Sequence, residues 1–143
     1  MLQQRETVFV APDLIAGTAA APVLLGSECC QCGTVTFPRQ GACPRCTSTD
    51  VRERALSRRG TLWTWTVQRF RPKSPPYIGD DSEEFEPYGV GYVELPGEVR
   101  VEARLTESDP ARLSIGITME LTLIPAPGRE EAVTFAFRPV EER

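Results

Sequence analysis

The stretch "CCQCGTVTFPRQGACPRC", residues 29–46, holds all five cysteines of the 143-residue chain. Two pairs in it have the spacing Cys-x-x-Cys: Cys29 with Cys32, and Cys43 with Cys46, ten residues apart. Two intervening residues let a tight knuckle turn both sulfurs toward one ion. Gly33 supplies the permissive backbone the first knuckle needs, and Pro44 stiffens the second. Four thiolates complete a tetrahedral shell with no open position, which is the structural kind of zinc site. The expected metal ligands are therefore Cys29, Cys32, Cys43 and Cys46, around a structural Zn2+. Cys30 would leave one residue before Cys32, a poor knuckle, so it is the spare thiol. The same cysteines admit two other readings: two disulfides, or an iron site of the rubredoxin kind. Against close identity with rubredoxin, the second pair is followed by Thr47 and not by glycine.

A segment of this size cannot bury enough apolar surface to fold unaided, so a metal takes the place of the missing core. The four cysteines build a fold element and perform no chemistry on a substrate. The chain contains no histidine. That removes Ser-His-Asp and Cys-His catalysis and any histidine-bound catalytic metal. With no base near it, Cys30 has no partner that would make it a nucleophile.

C-terminal to the cysteines, the apolar pattern changes to a period of two. Five segments read as half-buried strands: 60–70, 88–95, 99–105, 117–124 and 132–138. In the first, Trp63, Trp65 and Val67 alternate with Leu62, Thr64 and Thr66, which puts the two tryptophans on one face. Val99, Val101, Ala103 and Leu105 share a face of the third. Ile117, Met119, Leu121 and Leu123 share one in the fourth. "LPGE" (95–98) suits a type II turn in a tight hairpin, and "PAPGRE" (125–130) a second hairpin loop. Asp109 followed by Pro110 predicts the start of one helical turn between the third and fourth strands. A long loop, 71–87, joins the first two strands. Five short strands with a helical element at that place match an OB-fold, a partly open Greek-key barrel, although another small five-stranded barrel such as an SH3-like one has the same strand count. The predicted fold is mainly β, with a zinc ribbon followed by a five-stranded OB-fold barrel. Its expected division is an extended or partly helical lead-in at 1–22, a rubredoxin-like ribbon at 23–52, and the barrel at 53–143.

Net charge is −4 and the sequence pI about 5.0, which argues against a nucleic-acid partner. The charge is unevenly spread. Residues 39–73 carry nine basic side chains against Asp50 and Glu53, a balance of +7 that leaves −11 for the remainder. Such a segment is a solvated face, or a site for a phosphorylated ligand or an acidic partner surface. The run "LIAGTAAAPVLLG" (14–26) has a faint likeness to a signal-peptide core. It lacks a clean basic flank, Pro22 interrupts it, and it is too short to span a bilayer. No membrane association is expected, and a cytoplasmic location with reduced thiols is. The acidic loop "DDSEEFE" (80–86) surrounds Phe85, an arrangement that orders on a basic partner if it orders at all. Trp63 and Trp65 are either core or a flat platform for a ligand or partner.

"LLGSECCQCGTVTFPRQGACPRCTSTDV" (24–51), "RRGTLWTWTV" (58–67), "PYGVGYVELPGEVRVEARL" (87–105) and "DPARLSIGITMEL" (109–121), in that order, resemble domain-of-unknown-function family 35. The resemblance covers about residues 23–138. Family members typically also carry an N-terminal helix with an aromatic pair, which residues 1–22 do not show clearly. The resemblance implies a rubredoxin-like zinc ribbon joined to an OB-fold, serving as a non-catalytic partner subunit in acyl-CoA metabolism. The partners implied are thiolase-fold enzymes: thiolases, hydroxymethylglutaryl-CoA synthase-like enzymes, or lipid-transfer-protein-like aldolases of steroid side-chain degradation. They would join this chain in a hetero-oligomer, a heterotetramer, with acyl-CoA as a shared ligand. Arg58, Arg59, Arg69, Arg71 and Lys73 then become candidates for CoA phosphates or for salt bridges to the partner. Two alternatives of other classes are a single-stranded nucleic-acid-binding module and a rubredoxin-like electron carrier.

Overall fold

In the computed structural model the described residues are 14–18, 20–69, 86–126 and 129–140. They form nine strands and one short 3-10 turn, arranged as a small four-stranded sheet and a closed five-stranded barrel.

The small sheet is built on β2 (Pro22–Cys29), which pairs antiparallel with β1 (Ile15–Gly17), β3 (Val35–Thr36) and β4 (Val51–Ala55). The lead-in therefore contains a short strand, with Ile15 opposite Leu24, followed by a turn into β2. The burial of β2 explains its place at the centre: Pro22, Leu24 and Gly26 alternate inward, and the phase then shifts so that Ser27 and Cys29 are buried. β4 reads "VRERA" and shows no apolar period. It is held across the sheet by charge, since Arg52 and Arg54 both reach Glu28 on β2.

The barrel runs β5 (Arg59–Gln68), β6 (Tyr88–Glu94), β7 (Arg100–Leu105), β9 (Arg129–Pro139), β8 (Thr118–Ala126), and closes by pairing β8 with β5. All neighbours are antiparallel except β7 with β9. In barrel numbering this is the order 1-2-3-5-4-1 of an OB-fold, which decides against an SH3-like barrel. Two of the predicted turns are in place; the tip of the third, 127–128, lies outside the described residues. Gly97 has φ +70° and Glu98 donates its N–H to the Leu95 carbonyl at 3.0 Å, as a type II turn requires. The side chain of Asp109 accepts from the Ala111 N–H at 2.9 Å and caps the turn Pro110–Arg112.

The predicted inward faces are the buried ones. Val101, Ala103 and Leu105 of β7, Met119 and Leu121 of β8, and Phe137 of β9 are all at most 6 % exposed. They form one continuous cluster with Ile15, Leu24, Val35 and Leu56, so sheet and barrel share a core. Phe37 from the cysteine segment meets Phe135 of β9 edge to face at 5.8 Å. The shared core fixes the ribbon against the barrel wall.

The two tryptophans do not share a face. Between Leu62, opposite Val93, and Thr64, opposite Tyr92, β5 carries an extra residue. That β-bulge at Trp63 resets the alternation. Trp65 packs against the core, whereas Trp63 remains 45 % exposed.

Candidate metal centre and surface sites

The two knuckles have one design. Gly33 N–H donates to the Cys29 carbonyl and Thr47 N–H to the Cys43 carbonyl, each at 2.9 Å. Cys29 N–H in turn donates to Thr34 O at 2.9 Å and Cys43 N–H to Ser48 O at 2.8 Å. The fourth residue after each first cysteine is left-handed: Gly33 at φ +77° and Thr47 at φ +65°. Within these turns, backbone N–H groups point at sulfur. Gln31 N–H reaches Cys29 Sγ, and Arg45 and Cys46 N–H reach Cys43 Sγ, all at 3.4 Å.

The sulfurs of Cys29, Cys32, Cys43 and Cys46 lie within 4.8 Å of one another. Cys29 to Cys46 is 3.5 Å and Cys32 to Cys43 is 3.6 Å. A tetrahedral tetrathiolate zinc site has sulfurs about 3.8 Å apart. None of the five cysteines is in a disulfide, which sets aside the disulfide reading. The electrostatics point the same way. Hydrogen bonding from the Thr34 hydroxyl and backbone lowers Cys32 to about 6. Hydrogen bonds from the backbone of Cys46 and then Arg45 lower Cys43. The Ser48 backbone lowers Cys46, but the crowding of Cys29 and the other thiols outweighs it and drives Cys46 up to about 12. Four thiolates this close need a cation to ionise together. Cys30 stands apart: it is exposed, and partial desolvation followed by the adjacent Asp50 carboxylate raises its thiol.

The basic surplus read in residues 39–73 is answered in part by acids from elsewhere, and in part within the segment. Arg39 pairs with Glu53 and Arg52 with Glu28. Arg54 bridges Glu28 and Glu98. Arg59 is held by Glu120 at 2.7 Å, a carboxylate it shares with Arg138. Among the phosphate candidates, Arg59 is thus already engaged. Arg58 has no side-chain partner among the described residues. It lines an open groove of about 730 Å³ between sheet and barrel with Val23, Leu56 and Pro96. Arg69 is exposed just past the end of β5. Arg71, Lys73 and Phe85 lie outside the described residues.

Sequence reasoning did not join Tyr92 and Arg100 to Trp63, nor Glu102 to Tyr92. The Trp63 and Tyr92 rings meet edge to face at 6.1 Å, and the Arg100 guanidinium lies 3.9 Å over the Trp63 ring. A tyrosine one strand and an arginine two strands from a tryptophan carry no linear signal; only the sheet register unites them.

Among the described residues, no helix is long and apolar enough to cross a membrane. Residues 19–52 match the family model for the rubredoxin-like zinc ribbon domain of ChsH2, and residues 53–123 that for its C-terminal OB-fold domain. A DUF35 domain-containing scaffold protein of Methanocaldococcus jannaschii is 31 % identical, over 82 % of each chain. The benzoylsuccinyl-CoA thiolase subunit BbsA of Thauera aromatica is 33 % identical, over 82 % of this chain and 76 % of its own. Among solved structures, an Ltp2–ChsH2(DUF35) aldolase chain superposes with a TM-score of 0.62 at 25 % identity, covering 82 % of this chain and 84 % of that one. With both modules matched in order and a cysteine cluster built to hold a metal, the chain belongs to the ChsH2 (DUF35) family of zinc-ribbon and OB-fold proteins.

Proposed function

We propose that this chain is the non-catalytic subunit of a hetero-oligomeric acyl-CoA enzyme. It binds a thiolase-fold partner, either an acyl-CoA thiolase or a lipid-transfer-protein-like aldolase of steroid side-chain degradation, and helps stabilise or complete its acyl-CoA site. The observation that carries this reading is the likeness along both modules, over 82 % of the chain, to a protein named as a thiolase subunit. The aldolase superposition supports it from the side of the fold.

The chemistry of the chain agrees. It has no histidine, and four of its five cysteines are gathered in one cluster. When bound there, a Zn2+ closes the two knuckles and fixes the ribbon; with four thiolates it has no position left for a substrate. Reactivity then belongs to the partner. The ribbon at 23–52 and the barrel at 53–143 act as one unit through their common core, in a cytoplasmic heterotetramer. Arg58 in the groove, with Arg69, is the remaining described candidate for a CoA phosphate.

The test is co-expression of the full chain with a thiolase-fold enzyme from the same source. A stable complex that cleaves an acyl-CoA, with no turnover by this chain alone, is expected. Full activity and solubility of the enzyme in its absence would overturn the reading.

A further inference from the structure

Among the described residues three large apolar side chains are exposed: Trp63 at 45 %, Tyr92 at 39 % and Ile115 at 72 %. Two of them meet on the barrel, and the third is tied to the same strand through its neighbour's backbone. Trp63 and Tyr92 are in contact across β5 and β6. Gly116, next to Ile115, donates its N–H to the carbonyl of Leu62, next to Trp63, at 2.8 Å. Ile115 therefore lies along the same stretch of β5. Single exposed apolar side chains are ordinary, but a cluster of them marks a surface that meets something. The bulge in β5 creates the cluster by turning Trp63 out of the wall.

The charges around it narrow the occupant. Arg100 is engaged twice, stacked on Trp63 and bonded through Nε to Glu94 at 2.9 Å. Arg104 lies 3.8 Å over the Tyr88 ring. Glu102 receives only the Tyr92 hydroxyl, at 3.3 Å, and no cation pairs with it among the described residues. The face is thus an aromatic platform of two rings set edge to face, one of them covered by Arg100, with an unmatched carboxylate at its rim. A nucleic-acid strand, a common ligand of this wall in OB-folds, would bring phosphates against Glu94 and Glu102. A second copy of this chain would bring the same unmatched carboxylate and no free cation from this face.

We infer that the Trp63–Tyr92–Ile115 face, rimmed by Glu102, is the surface that docks the thiolase-fold subunit, through an apolar protrusion flanked by a lysine or arginine. The inference rests on the partner reading above and adds its location and chemistry. Tryptophan, tyrosine and arginine are the residues that dominate binding energy at protein interfaces.

The experiment titrates the full metal-loaded chain into the purified thiolase-fold enzyme with which it co-purifies, by calorimetry. Trp63→Ala should weaken binding about thirtyfold and Glu102→Lys about tenfold, while metal content and melting temperature hold. Trp63→Phe should remove the blue shift of tryptophan emission that complex formation gives in the wild type. Thr49→Ala, exposed on the ribbon, should change nothing. Both variants binding within twofold of the wild type would overturn the inference while leaving the partner reading intact. So would self-association lost in Trp63→Ala, or quenching of Trp63 by oligothymidylate at low salt. If the wild type does not bind the enzyme, the partner reading falls and this one with it.

Discussion

Glu98, in the turn between β6 and β7, bonds Arg54 of β4 through Oε2 at 2.9 Å, and its Oε1 accepts the Ser57 N–H at 2.8 Å. The Glu98 side chain is 4 % exposed. One carboxylate from the barrel thus ties down the strand that ends the small sheet and the link that leaves it. Arg54 passes the contact on to Glu28 of β2. Glu98→Ala would strip two partners of a buried charge, leaving Ser57 N–H and the Arg54 guanidinium short of an acceptor. A loss of about 2–3 kcal/mol in denaturant unfolding is expected. Glu98→Gln keeps the shape but cannot accept from both groups, and should lie between the two. A loss under about 0.5 kcal/mol in Glu98→Ala would mean the clamp is decorative.

The two knuckles differ at one position of the same backbone geometry. A β-branched residue at φ +65° is strained, and Thr47 occupies that place while Gly33 holds its counterpart at φ +77°. A Cβ at Gly33 would meet no atom within 4 Å, so its effect there is conformational alone. Gly33→Ala should destabilise the metal-loaded chain by about 1 kcal/mol, and Thr47→Gly should stabilise it by a similar amount, less the entropy glycine adds to the unfolded chain. The Thr47 hydroxyl bonds only the Cys46 carbonyl next to it, at 2.6 Å, so little is lost with it. Thermal unfolding of both variants in parallel checks the opposite signs.

Why the clamp and the platform escaped a reading of the sequence follows from what a linear pattern contains. The barrel strands were legible because each buries one face, and a period of two survives in Val101, Ala103 and Leu105 or in Met119 and Leu121. The Asp109–Pro110 cap and the Cys-x-x-Cys knuckles are local, closed within a few residues. β4 was not legible, because "VRERA" is charged at three successive places and stays in the sheet through Glu28 on β2. The arginines of the basic segment find carboxylates 26, 44 and 61 residues away. Trp63 and Trp65 were placed on one face because a regular strand would do so. The bulge between them is a property of the pairing with β6, and nothing in "TLWTWT" announces it.

Metal removal separates the two parts of the fold. Four sulfurs within 4.8 Å should hold one ion per chain, zinc and colourless. Treatment with a strong chelator should free four thiols in addition to Cys30, and hydrogen exchange should rise across 22–55 before it rises in β7 and β8. Cys43→Ser should abolish stoichiometric metal, and Cys30→Ser should leave it unchanged. A visible absorption band in native material would replace zinc by iron.

Acid should destabilise the barrel through Glu120. Hydrogen bonds from Arg59 and then Arg138 lower its carboxyl below the ordinary value of 4.5. A carboxylate with a folded-state pKa below its unfolded one contributes stability that is full above the unfolded value and is lost as pH falls through the folded value. Glu28, lowered by Arg54 and Arg52, titrates with the same sign on the small sheet. Acid also protonates the thiolates and releases the metal, so the wild-type profile alone mixes two events. The difference between wild type and Glu120→Gln isolates one, because Glu120 joins β5, β8 and β9 within the barrel. The wild-type advantage should be constant from pH 7 to about 5 and vanish below the folded-state value of Glu120. An advantage that grows on acidification would mean that the carboxyl is better accommodated protonated, and that the two arginines do not hold it as a charge.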